Sequence, residues 1–315
     1  MNTSLATALL VIYMLIYVLP FYLSSSTRPS SSQSRDAIPV IRARIRSVTV
    51  SCCICSTITL LITRTEGDVS LLRVLQTMGY LSLSLSEIFN SLFLTSILFL
   101  APLFERGFVE GEWKDWIRLR GLRTTILSWT GWRNYVVGPI TEEVLFRSAS
   151  IPLLLMTRMS APRMILQAPL VFGLAHFHHF YEFRICHPRT PITFALLQSV
   201  LQFSYTTVFG GYATFIYLRT SSLLSAILVH AFCNWIGLPR FWGLVGGNED
   251  LSNLDPISDF RKVHFTSSPS SALRFLRFRI FWCTFSYYSL LIVGAVGWQK
   301  MLWPLTVSDN RLIDF

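Results

Sequence analysis

Apolar runs of about membrane-spanning length alternate along this chain with short polar stretches, and that alternation predicts its elements. Leu5 to Leu23 is the first such run, interrupted only by Pro20. It lacks a basic leader and a clear small-residue cleavage site, so it reads as a retained anchor rather than a signal peptide. Ser24 to Arg46, rich in Ser, Pro and Arg, reads as a loop. The charge-free run Ser47 to Thr63 predicts a second, short span. Arg64 to Glu87 reads as a polar connection and Ile88 to Phe104 as a third span.

Glu105 to Arg123 is charged and carries Trp113 and Trp116, which suits a segment lying at the membrane interface. Thr124 to Tyr135 is weakly apolar and reads as a short or re-entrant piece. A fourth span follows from about Val136 to Met156, and a fifth from Met164 to Tyr181 with Pro169 as a kink. Thr190 to Leu218 is free of charge but long for one perpendicular helix, with Gly210-Gly211 as a candidate break. Ser221 and Ser222 cap a seventh span reaching Pro239. Phe241 to Leu273 is a hydrophilic loop, and Ile280 to Gln299 is the eighth span. The expected fold is all-α and polytopic, with about eight transmembrane helices around a polar cavity in the cytosolic half. Residues 1–315 read as one membrane-embedded domain with its core at 132–243.

Composition supports this reading. Hydrophobic residues make up 52% of the 315 positions and charged residues only 14%, well below the level of a soluble domain. The net charge of +10 raises the question of nucleic acid. The basic residues fall in clusters between apolar runs, however, so orientation in a membrane explains them better. With the N-terminus lumenal, the eight-span arrangement puts 18 basic residues on the cytosolic side and 7 on the other. The six cysteines are scattered or lie within apolar runs; they read as small buried hydrophobes, with no disulfide expected.

Three of the predicted spans carry polar groups at depth, where they are costly and usually functional. The fourth holds Glu142, Glu143 and Arg147 within GPITEEVLFR. Glu143 and Arg147 stand at i,i+4 with the acid first, the favourable order for an ion pair, which leaves Glu142 without a partner of its own. The fifth holds FGLAHFHHFYEF, with Phe172, His176, His179 and Phe183 on one face and His178 and Glu182 on a neighbouring one. The seventh stacks His230 and Asn234 at i,i+4.

A carboxylate with a neutral imidazole can orient and deprotonate water. A second imidazole and a carboxamide can donate to the oxyanion of a tetrahedral intermediate, each donor being worth about 3 kcal/mol. That set suffices for metal-free peptide hydrolysis. Two other readings stay open at this point. Glu142, His176 and His230 could ligate zinc, although the chain has neither an HExxH motif nor two His at i,i+4. A transporter or channel could use the same groups as a proton relay. His178, His179 and His187 read as structural hydrogen-bonders, and Cys233 lacks an activating environment.

Taken in order, EExxxR (Glu142, Glu143, Arg147), FxxxH (Phe172, His176) and HxxxN (His230, Asn234) resemble the type II CAAX prenyl endopeptidase family. Eukaryotic members of that family are called Ras-converting enzyme, and it belongs to a wider group of glutamate-dependent intramembrane proteases. The flanks GPITEEVLFRS and HAFCNWIGLPRFWG resemble its eukaryotic branch, and the resemblance covers roughly Trp132 to Gly243. It implies an enzyme of the endoplasmic reticulum membrane, its site facing the cytosol. Such an enzyme releases the aaX tripeptide from farnesylated or geranylgeranylated CaaX proteins, Ras-like small GTPases among them, without a cofactor. By motif position Glu142 and His176 would activate water and His230 and Asn234 would form the oxyanion site. Glu143, Arg147 and Phe172 would support them.

Overall fold

The computed structural model describes residues 1–30, 34–246 and 269–315. Among these, helices and turns account for all regular structure and no strand occurs. Helix α1 covers Thr3–Val18 and continues through Pro20–Leu23, capped by Asn2, whose side chain accepts from the Leu5 amide at 2.8 Å. Helix α2 runs over Ile38–Gly67, α3 over Leu85–Leu98 and α4 over Gly138–Glu143. Helices α5 (Ala161–Ala175), α6 (His178–Cys186), α7 (Ile192–Thr220), α8 (Leu223–Ile236) and α9 (Pro269–Met301) complete the long elements.

Four described segments are long and apolar enough to cross a membrane: Thr3–Leu23, Ile38–Gly67, Ile192–Thr220 and Arg274–Met301. The pair Leu85–Leu98 and Leu100–Val109, bent by 80°, makes a fifth if it is taken as one span. The chain is thus an all-helical, multi-pass membrane protein. Its other expected spans are short or broken rather than single long helices.

Several expected boundaries move, for identifiable reasons. Helix α2 starts at Ile38, inside the expected Ser24–Arg46 loop. Pro39 occupies its first turn, where a missing N–H costs nothing. Arg44 is accommodated because its guanidinium donates to the Thr27 carbonyl and pairs with Glu182 at 2.6 Å. The third span bends after Leu98, ahead of Pro102, which cannot continue the helical hydrogen-bond ladder. The fifth breaks at His176–Phe177, between α5 and α6. The sixth does not break at Gly210-Gly211: α7 is continuous for 29 residues. Thr124–Tyr135 comprises short helical turns (Arg120–Ile126, Trp129–Gly131) leading into a π-helical turn. Most of the expected Phe241–Leu273 loop, residues 247–268, lies outside the described residues.

The chain divides into two compact units. The first comprises Met1–Leu92, Thr124–Asn234 and Leu305–Phe315 and contains the polar motifs. Its core gathers Leu10, Tyr13 and Tyr17 of α1 with Leu145, Phe146, Leu153 and Phe172. Helices α5 and α7 approach closely because Gly210 has no side chain. A Cβ there would stand 3.0 Å from Pro169 Cβ and 3.1 Å from the Phe172 ring, the small-residue contact that brings membrane helices together. The last segment is fastened to this unit by Ser308 and Asn310, which donate to buried Glu87 at 2.5 and 3.1 Å. The second unit comprises Phe93–Arg123 and Trp235–Pro304. Within it Arg240 pairs with Glu105 at 2.8 Å, and its amide donates to the Tyr287 hydroxyl at 2.6 Å.

Candidate active site

Helix α4, which carries the adjacent glutamates, is a single short α-helical stretch between two π-helical turns, Trp132–Val137 and Val144–Ala149. A π turn closes i→i+5 bonds and shifts the helix face, a distortion concentrated at functional sites. Neighbouring side chains donate to carbonyls along this stretch. Cys52 Sγ reaches the Thr141 carbonyl at 3.2 Å and Thr59 Oγ1 the Ala149 carbonyl at 2.7 Å. Tyr17 bonds the Thr141 hydroxyl at 3.0 Å, so α1 and α2 together hold α4 in register. Gly138 is required at its start, since a Cβ there would lie 2.7 Å from the Arg133 carbonyl.

The two glutamates have separate surroundings. Glu143 is fully buried, and its Oε1 takes both Arg147 Nη1 at 3.1 Å and His230 Nδ1 at 2.7 Å. Arg147 is sealed in turn. Its Nη2 donates to the Gly210 carbonyl at 3.2 Å and its guanidinium lies over the rings of Phe172 (4.7 Å) and Phe209 (5.9 Å). The i,i+4 pair expected from the sequence is therefore present, with a third member, His230, brought in from α8.

Glu142 has no hydrogen-bonded side-chain partner at comparable range. Its Oε2 stands 3.8 Å from His176 Nε2 and 3.8 Å from His230 Nε2. Both imidazoles are oriented through their other nitrogen. His176 Nδ1 lies 2.9 Å from the Phe172 carbonyl, which can only accept, so Nδ1 carries the proton and Nε2 presents its lone pair to Glu142. His230 Nδ1 faces the Glu143 carboxylate, which likewise only accepts, so that nitrogen also carries a proton. The Phe172 ring packs edge-on against His176 (centroids 4.7 Å apart) and against His230 (6.3 Å). Exposure falls sharply across the cluster: the side chains of Glu142 and His176 are 21% and 17% exposed, whereas Glu143 and Arg147 are at 0% and 1%.

The structure thus brings Glu142, Glu143, Arg147, Phe172, His176 and His230 into one cluster. Asn234, one turn beyond His230 on α8, is exposed, and its Nδ2 donates to the Asn134 backbone carbonyl at 3.0 Å. Asn134 lies in the first π turn, and its side chain accepts from Arg133 Nε at 2.9 Å; Arg133 in turn pairs with Asp36 at 2.6 Å. Sequence reasoning missed Asn134, Phe209 and the Gly210 carbonyl. A glycine pair inside an apolar run was the available signal for the last, and its packing meaning appears only in three dimensions.

The helix restarts at His178, and the histidines there make structural hydrogen bonds. His178 Nδ1 lies 2.6 Å from the Ala175 carbonyl, and His179 Nδ1 lies 3.0 Å from Glu182. Among the described residues, His178, His179 and Glu182 form a group of His, Cys, Asp and Glu donors mutually within 4.8 Å; Glu142, His176 and His230 do not form one. Glu182 is already matched by Arg44 at 2.6 Å and Arg35 at 3.6 Å. That cluster is an ion-pair tether joining α6 to α2 rather than a cation site. Burial alone would raise the Glu182 carboxyl, but the His179 hydrogen bond and the Arg44 charge outweigh it and hold the group down to about 2.

A family profile described as Type II CAAX prenyl endopeptidase Rce1-like matches residues 124–236, which contain all of these site residues. The chain is similar to the Probable CAAX prenyl protease 2 of Schizosaccharomyces pombe, at 36% identity over 297 residues, 94% of this chain and 92% of that protein. It is 33% identical to the CAAX prenyl protease 2 of Homo sapiens over 238 residues, 71% of this chain and 68% of the other. Against the CAAX prenyl protease 2 of Arabidopsis thaliana the identity is 44% over 108 residues, 34% of each chain. No solved structure matches the chain.

Proposed function

Because this chain belongs to the type II CAAX prenyl endopeptidase family and is a CAAX-processing membrane protease, we propose that it removes the aaX tripeptide from farnesylated or geranylgeranylated CaaX proteins by metal-free activation of water. The observation that carries the reading is the placement of Glu142 Oε2 at 3.8 Å from the Nε2 atoms of both His176 and His230. Those separations are too long for direct hydrogen bonds and suit an intervening water or a reacting group.

In the proposed reaction a water held between Glu142 and His176 gives up a proton to this pair as its oxygen adds to the carbonyl carbon of the scissile bond. The carbonyl oxygen becomes an oxyanion and receives hydrogen bonds from His230 and Asn234. Each such donor contributes about 3 kcal/mol of transition-state stabilisation. Collapse of the tetrahedral intermediate breaks the C–N bond, and the proton taken from water passes to the departing amine. The products are a prenylcysteine carboxylate and the free tripeptide.

The substrates, Ras-like small GTPases among them, are made in the cytosol. The reading accordingly places the site on the cytosolic face of the endoplasmic reticulum membrane, within one eight-span protease domain over residues 1–315. The fourth segment would then enter from the cytosolic side, with Glu142 and His176 as the accessible edge of the cluster. The isoprenoid would reach this edge from the lipid through a groove between spans.

The deciding experiment incubates purified full-length protein with a farnesylated CaaX peptide, with and without chelator, and scores tripeptide release. Release that persists under chelation, from protein holding no stoichiometric metal, is expected. Absence of the tripeptide, or cleavage abolished by chelation and restored by zinc, would overturn the reading.

A further inference from the structure

We propose that Glu143 is the positioning residue of this site, holding His230 as a doubly protonated imidazolium so that its Nε2–H is available as an oxyanion donor. The inference rests on the hydrolytic reading above and adds to it a protonation state for each group.

One nitrogen of His230 is committed, and the other, Nε2, faces Glu142 Oε2 at 3.8 Å without a direct hydrogen bond. Nδ1 meets Glu143 Oε1 at 2.7 Å inside a fully buried environment. A carboxylate accepts only, so the Nδ1 proton is fixed there. A neutral His230 would therefore present a bare Nε2 to the reaction centre, and a bare nitrogen repels an oxyanion. His230 can donate from Nε2 only if it carries both protons.

Charge balance favours that state. His230 faces Glu142 and Glu143 from the fourth segment and the Phe172 and Phe209 rings from α5 and α7; Arg147 shares Glu143 Oε1 with it, and His176 shares Glu142 Oε2. Cys233 and Asn234 lie along its own helix. His176, as the base of the proposed reaction, counts as neutral with its proton on Nδ1 against the Phe172 carbonyl. Two carboxylates and one guanidinium sum to one negative charge, and a cationic His230 brings this largely buried cluster to zero, the arrangement least costly to bury. Glu143 Oε2 is buried without a hydrogen-bond partner among the described residues, so Oε1 alone meets both cations. Arg147 is thereby a counter-ion held to α7 through Gly210, not a contact for substrate.

The test uses the full-length protein. Glu143→Gln keeps the size and the acceptor but removes the charge that sustains the imidazolium. It is expected to lower kcat on the order of 100-fold, the scale of losing one oxyanion donor, with KM changed less than about threefold, as expected for an interaction made in the transition state. Unchanged kcat, or a raised KM with kcat preserved, would overturn the proposal. A second measurement needs no substrate: 15N spectra of histidine-labelled protein at neutral pH, with the His230 signals assigned by their loss in His230→Gln. Two protonated ring nitrogens in the unmodified protein are expected, and a neutral ring there overturns the proposal even if the glutamine variant fails to fold. Failure of the unmodified protein to cleave prenylated peptide would instead count against the hydrolytic reading, which the spectrum does not address.

Discussion

His176 offers its lone pair to Glu142 across 3.8 Å because the Phe172 carbonyl, 2.9 Å away, holds the proton on the opposite ring nitrogen. A base and a carboxylate aimed at the same point, neither bonded to the other, form a pair set to share water between them. Glu142→Ala and His176→Ala are each expected to lower turnover of a farnesylated CaaX peptide by on the order of 1,000-fold or more, the combined scale of general-base catalysis and water positioning. Single-turnover cleavage in detergent measures this, and near-normal turnover in Glu142→Ala would end the mechanism.

Arg147 is predicted to matter for stability as well as chemistry. Arg147→Met leaves Glu143 buried with a single cationic neighbour, and breaking such a pair costs about 3–5 kcal/mol. The double variant Glu143→Leu/Arg147→Met removes both charges, and should recover most of the thermal stability while remaining inactive. Thermal unfolding of the three proteins in one detergent provides the comparison; equal destabilisation of single and double variants would contradict the pairing.

The contact of α5 with α7 through Gly210 sets a steric limit. Gly210→Val places branched carbons against Pro169 and Phe172, where even a Cβ is crowded at 3.0–3.1 Å. Overpacking of this kind costs about 1–3 kcal/mol. Because Phe172 lies under Arg147 and beside His176, activity is expected to fall by more than the loss of folded protein explains. Specific activity of the folded fraction after gel filtration is the readout.

Glu182 carries a pH dependence of definite sign. Its folded-state value is near 2 against an ordinary value of 4.5. Its contribution to stability is therefore fully present above the ordinary value and is lost as pH falls from there toward 2. Glu182→Gln should weaken the tether from α6 to α2 near neutrality and flatten the acid-side decline over that interval. Thermal midpoints measured across the acid range test it, and an unaltered slope would count against the Arg44–Glu182 ion pair.

Much of the architecture could be read from charge-free run length alone. The first apolar helical segment ends at Leu23, where the charge-free run predicts it, because no charge interrupts it. Local spacing likewise announced the Glu143–Arg147 pair, since i,i+4 neighbours meet within any helix. The start of α2 was hidden because Arg42, Arg44 and Arg46 look like loop residues until Thr27 and Glu182 are seen to receive Arg44. The bond from Glu143 to His230 joins residues 87 apart, and no local pattern encodes it. Gly210-Gly211 was ambiguous between a break and a close approach, and only the opposing faces of Pro169 and Phe172 resolve it. Single-sequence patterning also carries no signal for π turns, which use ordinary residues in an unusual hydrogen-bond register.

Those π turns have a consequence for how the chain can vary in length. Each bond in them spans one residue more than in an α-helix, so the stretch from Trp132 to Ala149 behaves like a screw with slack let into it on either side of the glutamates. Deleting one residue within Trp132–Val137 would let that turn relax to α geometry. The deletion is thereby absorbed and the two sides keep roughly their rotational phase. A residue added where the helix has no slack to take it up would instead rotate one side by about 100° relative to the other, swinging Glu142 away from His176 while the amino-acid types at the site stayed the same. Spacing within this stretch, as much as side-chain identity, is what a working variant has to preserve.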